Sequence, residues 1–342
     1  MNTPIPLRPS LDALRESALT SIAKACVYMA RNAGKSDRPK LGSDRLAEML
    51  VTRAPTSPTK IADAAALAHV AYYFIASLVP TSAAAAVIAR SLQLSFDNAA
   101  EICVPGLTLP LAAWVGEGNP IAVQQGTSSA STLLTPFKLA TILTLSNEML
   151  IHSNAEAMMK MVLAENVAPT LDNALFNAAA GVPGQAPPGI LNNIPALTAS
   201  TGTGLDGLVA DIAAITRAVA PVAGGSPPIL ICAPEQYVAM HMLPVDPTWP
   251  VYMSATLPSG TVIGVAPAGL ATVIETPRIE MVSAAAVHMN TQPSDIVISP
   301  STVAAPVKSA FQTDSQFLRF ILPCTWALRS PQAVAWVQNT KW

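Results

Sequence analysis

The stretch FKLATILTLSNEMLIHSNAEAMMKM, residues 137–161, changes its periodicity partway along. Phe137, Leu139, Leu143 and Leu145 alternate with Lys138, Ala140, Thr144 and Ser146, the period of two that marks a strand with one buried face. From Ser153 the pattern turns helical. Ser153 and Glu156 have capping-box spacing, and Glu156 and Lys160 stand one turn apart. A strand thus runs almost directly into a long helix.

Upstream, the residues from Val104 to Phe137 carry a single charge, Glu117. Pro105, Pro110 and Pro120 oppose helix, while Leu107-Thr108-Leu109 and Thr132-Leu133-Leu134 suit extended arms and Gly116, Gly118 and Gly126 supply turns. The reading is a long two-stranded excursion with Trp114 inside it. An isolated hairpin is marginal in water, so this one calls for a surface to lie on.

Downstream, Met158, Met159, Val162 and Val167 fall near one helical face until Pro169 intervenes. Proline removes a backbone donor and clashes one turn back, at about 3 kcal/mol in a helix interior, which predicts a kink or restart. Leu171, Leu175 and Ala178 then continue inward towards Gly181. After the loop GQAPPGILNN (184–193), a second pattern begins. Leu208, Ile212, Ile215 and Val219 make a helical stripe, Pro228–Cys232 a buried strand and Pro234–Leu243 a short helix. Thr261–Val265 and Ala271–Glu275 read as strands, giving a mixed α/β unit. Phe317–Val337 reads as two strands with a turn at Ser330-Pro331, returning beside the helix of residues 154–180.

At the other end, Ser10 can cap a helix that keeps Leu11, Leu14, Ala18, Ile22, Ala25 and Met29 on one stripe, stopped by Gly34. A shorter helix follows over Ser43–Arg53, and APTSPTK (54–60) reads as a linker. Residues 1–60 hold ten Lys/Arg and five Asp/Glu, whereas the remaining 282 hold nine and sixteen. A basic arm on a mildly acidic body suits a phosphate-rich partner, although charge alone favours a solvated helical arm. Overall the chain of 342 residues is 51% hydrophobic and only 12% charged, so a lone copy would show water a large apolar surface of the kind that meets another macromolecule. Between Asp63 and Arg90 no Asp, Glu, Lys or Arg occurs, but His69, Ser77, Pro80, Thr81 and Ser82 break the run. A buried helix ending at Pro80 is the reading, with no membrane partner. The start, MNTPIPLRPSLDAL, lacks the charged then apolar pattern of a secretory signal.

Motifs for chemistry are weak. Gly202 to Gly207 matches GxGxxG, but ALTAS before it is no buried strand, Asp211 comes too early for a ribose acid and Glu235 too late. A nucleotide-dependent enzyme is therefore the least favoured reading. Gly34-Lys35-Ser36 resembles the tail of a phosphate loop but follows a helix, with Met29 in place of the first glycine. His69, His152, His241 and His288 are scattered, and although His152 and Glu156 lie one turn apart, no third ligand stands near. Cys26, Cys103, Cys232 and Cys324 form no CxxC, so the expectation is reduced thiols, with Cys232 and Cys324 as small core residues. No catalytic residue, metal or cofactor is expected.

The order of these parts resembles the major capsid protein of tailed bacteriophages, the Hong Kong 97-type fold shared with encapsulin shells. The residues that carry the resemblance are AAWVGEG (112–118), PFKLATILTLSNEML (136–150), Asp172-Asn173-Ala174-Leu175-Phe176 in the long helix, PPGILN (187–192), ILICAPEQY (229–237) and the closing strands. It covers the chain from about Leu107 onwards. The implied fold is α+β: an N-terminal arm (1–60), an alanine-rich connector (61–103), an extended loop (104–136), a peripheral domain with a long spine helix (137–185 and 300–342) and an axial α/β domain (186–299).

The resemblance implies a structural protein, not an enzyme, that assembles as hexamers and pentamers of an icosahedral shell around double-stranded DNA. The extended loop would lie across a neighbouring copy, with Leu107, Leu109, Trp114 and Glu117 in that contact. The arm would face DNA through Arg8, Arg15, Lys24, Arg31, Lys35 and Arg38, which need only phosphate charge and no base sequence. Portal and cement proteins are further implied partners, the virion the location and the bacterial host cytoplasm the place of assembly. An encapsulin-like compartment is the alternative. One departure matters: no lysine occurs between Lys60 and Lys138, so the loop lacks the lysine through which some members crosslink.

Overall fold

The structure, a computed structural model, describes residues 11–31, 44–52, 72–96, 100–108, 127–148, 155–223, 225–242, 249–282, 285–288, 297–299, 302–303 and 307–342. Its helices are α1 (Leu11–Arg31), α2 (Arg45–Thr52), α3 (Ala83–Ile88), α4 (Ala155–Leu175), α5 (Gly204–Ala223) and α6 (Pro234–Met242), and residues 72–78 are also helical. The strands begin with β1 (Leu92–Leu94), β2 (Ile102–Thr108), β3 (Thr127–Leu134) and β4 (Lys138–Ser146). Then come β5 (Ile229–Cys232), β6 (Val251–Met253), β7 (Val262–Val265), β8 (Leu270–Ile274) and β9 (Arg278–Val282). Short pairs follow, β10 (Ala286–His288) with β13 (Val307–Ser309) and β11 (Val297–Ser299) with β12 (Thr302–Val303), before β14 (Ser315–Leu328) and β15 (Val334–Val337).

The chain divides into two compact units. One holds Met1–Thr81, Lys138–Val167 and Glu275–Pro323; the other holds Ser82–Phe137, Ala168–Ile274 and Cys324–Trp342. The division falls within α4 and within β14.

In the first unit the leading part of β14 is the central strand, antiparallel to β4 on one side and to β9 on the other. Its sequence is almost wholly apolar, as a strand flanked on both edges and covered on a face requires. The alternation of β4 is realised as the burial of Leu145 and the half-burial of Leu139, Thr141 and Leu143, with Lys138, Ala140, Ile142, Thr144 and Ser146 outward. Register puts Leu143 and Met281 beside Leu318, and Thr141 and Ile279 beside Phe320. Phe320 is fully buried with Phe74 from the helical run at 72–78, ring centroids 5.6 Å apart, each side chain contributing about 2–3 kcal/mol of burial. Helix α1 buries Leu19, Ile22, Ala23, Ala25, Cys26 and Val27, and packs with α2 against β9. Asp44 starts α2: its Oδ1 accepts the Ala47 N–H at 3.1 Å and the Ser21 hydroxyl at 3.0 Å, the acceptor role of an N-cap carboxylate.

The second unit contains the sheet β15-β7-β5-β6. Strands β5 and β7 are buried along their whole lengths, as the runs ILIC and VIGV suggest. Helices α5 and α6 bring Leu208, Ile215, Val219 and Met240 onto Leu230, Cys232, Val262, Ala335 and Val337. Gly264 makes the approach of α5 close, because a Cβ there would run into the Ile215 side chain. A second cluster joins Phe96, Val104, Leu134, Ala271, Val273 and Ala327, where β8 lies between parallel β1 and the antiparallel end of β14.

Three sequence expectations change. Phe317–Val337 forms the two strands expected, but they enter different sheets: β14 pairs with β4, β8 and β9, while β15 joins β7. The turn between them comes from Ser330, whose hydroxyl accepts the Gln332 N–H. Secondly, α4 runs unbroken through Pro169. Pro169 and Glu165, whose carbonyl loses its partner, are both exposed residues, so the proline lies on the outer side of the helix and not in its packed face. Thirdly, α4 stops at Leu175 and Ala178 is exposed: the Asn177 side chain takes over, donating to the Asn173 and Ala174 carbonyls and accepting the Ala179 N–H.

Candidate functional site

The distinctive feature among the described residues is a ribbon. β2 and β3 pair antiparallel with each other and with no third described strand. Their root is anchored. Val104 and Leu134 are buried in the second cluster, whereas Cys103 and Leu133, which face each other in register, are exposed. The ladder slips between Val104 and Gly106, at Pro105, which has no N–H to give. It then continues to the pair Thr108–Thr127, roughly 13 Å beyond Val104 at the usual rise of a strand. Both outer edges are therefore without a ladder partner among the described residues. Leu107 lies in β2 opposite Ser128; Leu109, Trp114 and Glu117 lie outside the described residues.

The basic arm is described in part. Arg15, Lys24 and Arg31 are positions of α1, while Arg8, Lys35 and Arg38 lie outside the described residues. Lys24 and Arg31, seven apart, share a side of the helix; Arg15, nine before Lys24, falls on the other. Lys24 is half-buried and its Nζ is 3.5 Å from Asp44 Oδ2, so its charge is partly met within the arm. Such a pair contributes at most about 1 kcal/mol and leaves the ammonium able to exchange partners.

Buried carboxylates form the strongest polar centres. Asp172 accepts the Ser82 hydroxyl at 2.5 Å, the Ala84 N–H at 2.9 Å and the Ser254 hydroxyl at 2.7 Å, tying the start of α3 and the end of β6 to α4. Asp211 accepts the Ser200 N–H at 2.7 Å and the Trp342 indole N–H at 2.8 Å. Nothing in the local sequence marks either one. Their donors come from far along the chain.

Of the remaining motifs, Gly34-Lys35-Ser36 lies outside the described residues, and those within them resolve into packing. At Gly202–Gly207 no strand leads in; α5 starts at Gly204, and a Cβ on Gly207 would strike the Gly202 carbonyl, so the glycines allow a close approach. His241 stacks on Tyr237 with centroids 4.2 Å apart, His288 lies in β10, and His69 and His152 fall outside the described residues. Cys232 and Cys324 are buried in the core, as is Cys26. Burial pushes the Cys26 and Cys232 thiols up to about 12. No described helix is long and apolar enough to cross a membrane.

Comparison with known proteins bears on the whole arrangement. A family model described as the phage capsid family matches residues 74–225, the segment from the helical run before α3 to the end of α5. No curated protein matches the chain. A solved chain from Mycobacterium phage Cain is 14% identical, the match covering 75% of this chain and 90% of that one with a TM-score of 0.54. One from Mycobacterium phage Adephagia is 14% identical over 75% and 89%, with a TM-score of 0.52. One from Microbacterium phage Oxtober96 is 12% identical over 76% and 90%, with a TM-score of 0.50. At such identities the structural likeness speaks to the fold, and the family match to the kind of protein. Taken together, residues 74–225 match the phage capsid family and the chain has the Hong Kong 97-type fold.

Proposed function

We propose that this subunit builds hexamers and pentamers of an icosahedral shell around double-stranded DNA, each copy laying its β2/β3 ribbon and the segment 109–126 on a neighbour. The observation that carries the reading is the two-stranded ribbon with a buried root and two edges that no other described strand pairs. Exposed strand edges are templates for association, and two strands alone are not stable in water. A neighbour resolves both problems at once. Leu107, Leu109, Trp114 and Glu117 belong to that contact.

The arm supplies Arg8, Arg15, Lys24, Arg31, Lys35 and Arg38 to packaged DNA. Ten of the chain's nineteen Lys/Arg lie in its first sixty residues, and phosphate neutralisation needs no sequence-specific geometry. The role is structural, with no reaction of its own. Portal and cement proteins complete the particle, which assembles in the bacterial host cytoplasm. Without a loop lysine, strength comes from packing and cement and not from an isopeptide bond.

Negative-stain imaging of the purified chain, with nuclease-protected nucleic acid measured in the same fractions, tests the reading. Closed particles that protect DNA are expected. A stable monomer overturns the shell reading, and particles holding only protein cargo overturn the DNA reading in favour of a compartment. Neutralising Arg8, Arg15 and Arg31 should flatten the dependence of DNA binding on log salt by roughly 3 in slope. An unchanged slope would remove the arm as the contact.

A further inference from the structure

The second unit carries two exposed apolar ridges that one copy cannot bring together. On α5, Val209, Ala213 and Arg217 are exposed at four-residue spacing, with Leu205 extending the same flank; Val209 is 53% exposed. On α6, Glu235, Val238 and Met242 are exposed, Met242 to 81%. Isolated apolar residues at a surface are ordinary. Two ridges on adjacent helices, each ending in a single charge of opposite sign, are less so.

The ridges point apart. Gly207 and Asp211 face Trp342: its ring lies against Gly207, its indole N–H donates to Asp211, and its carbonyl accepts the Gln236 amide of α6 at 3.4 Å. Val209 is two residues from each of Gly207 and Asp211, roughly 200° around the helix. The Val209 ridge is therefore on the flank of α5 turned away from α6.

The two ridges also match. Set antiparallel, Met242 over Val209 places Val238 over Ala213, because both repeat every four residues. Glu235 then stands one residue's rise, about 1.5 Å, from the level of Arg217. Apolar meets apolar, the small Ala213 receives a branched neighbour, and carboxylate meets guanidinium.

Resting on the shell reading above, we infer that α6 of one copy docks antiparallel on the outer flank of α5 of the next, a head-to-tail contact that closes the ring within each capsomer. Different surfaces meet at such a contact, so it propagates around an axis and does not stop at a dimer. The Glu235 carboxylate accepts the Ser259 hydroxyl.

Cysteine crosslinking in assembled particles tests the contact. The background is Cys103→Ser, since Cys26, Cys232 and Cys324 are buried. Val209→Cys combined with Met242→Cys should give, on oxidation, a ladder ending at five or six copies, while neither single variant should crosslink. Particles that form without the ladder, or a single variant that crosslinks to itself, overturn this contact and leave the shell reading standing. A parent chain that never assembles refutes the shell reading itself. Charge reversal supplies a second readout on exposed side chains. Arg217→Glu or Glu235→Arg should lower particle yield at least about tenfold through like-charge repulsion, and the two together should restore it. Failure of the pair to restore yield also overturns the contact.

Discussion

The four-stranded sheet of the second unit and the ribbon that leaves the same unit solve the problem of a strand's edges in opposite ways. In the sheet, β5 and β7 are flanked on both sides, covered by α5 and α6, and buried along every residue. Even the outer edge of β15 is engaged, where Leu197 donates its N–H to the Trp336 carbonyl at 2.8 Å. In the ribbon, β2 and β3 have only each other among the described strands beyond the Val104–Leu134 root. The sheet carries its own solvent exclusion; on the proposed function the ribbon borrows it. A shell subunit needs both, since a self-sufficient body keeps its shape before assembly while an unfinished element makes assembly favourable.

Replacing residues 105–132 with a short turn is the severest way to break this comparison. Particle formation should be abolished, whereas the far-ultraviolet spectrum and the thermal midpoint of the unassembled chain should barely move. A large drop in that midpoint would mean that the ribbon belongs to the subunit's own core. Next in size is Asp172→Ala. It leaves the Ser82 and Ser254 hydroxyls and the Ala84 N–H without their acceptor, and should destabilise the second unit by about 3 kcal/mol or more. Trp249, Trp326, Trp336 and Trp342 all lie in that unit, so the midpoint of denaturant unfolding followed by tryptophan fluorescence reads the effect. Gly264→Ala, which pushes a methyl into Ile215, should cost about 1–3 kcal/mol in the same assay.

The mildest effect is a pH dependence. Both buried thiols keep their protons up to about 12 in the folded chain, while an exposed thiol ionises near 9. Between those values the unfolded chain sheds protons that the folded chain retains, so stability is full below pH 9 and falls as pH rises towards 12. Cys26→Ala and Cys232→Ala should each flatten that fall, measured as the thermal midpoint against pH. Equal slopes in parent and variants would contradict it.

Local periodicity made much of this fold legible. The alternation of Phe137–Ser146 gives β4, ILIC gives β5, and the Leu208, Ile212, Ile215, Val219 stripe gives α5, because each pattern reports burial of one face or of both. What stayed hidden depends on distant partners. Asp172 gathers donors ninety residues before it and eighty-two after it, and neither spacing has a local signature. The pairing of β15 with β7 was hidden for the same reason, since a four-residue apolar run fits any buried sheet edge. Pro169 misled because local propensity alone was read, whereas the buried Leu163, Val167, Leu171 and Leu175 on the packed face hold the helix through it, with Pro169 on the exposed side. The ribbon was readable as two extended arms with little charge between them, while its use of a neighbour entered through the family resemblance.

Hydrogen exchange over the paired segments 102–108 and 127–134, compared between assembled particles and the same chain dissociated to monomers, addresses the central claim most directly. Protection of these amides in particles, with exchange faster by at least about a hundredfold in monomers while β5 and β7 remain protected, is the expected result. Equal protection of the ribbon in both states would contradict the account.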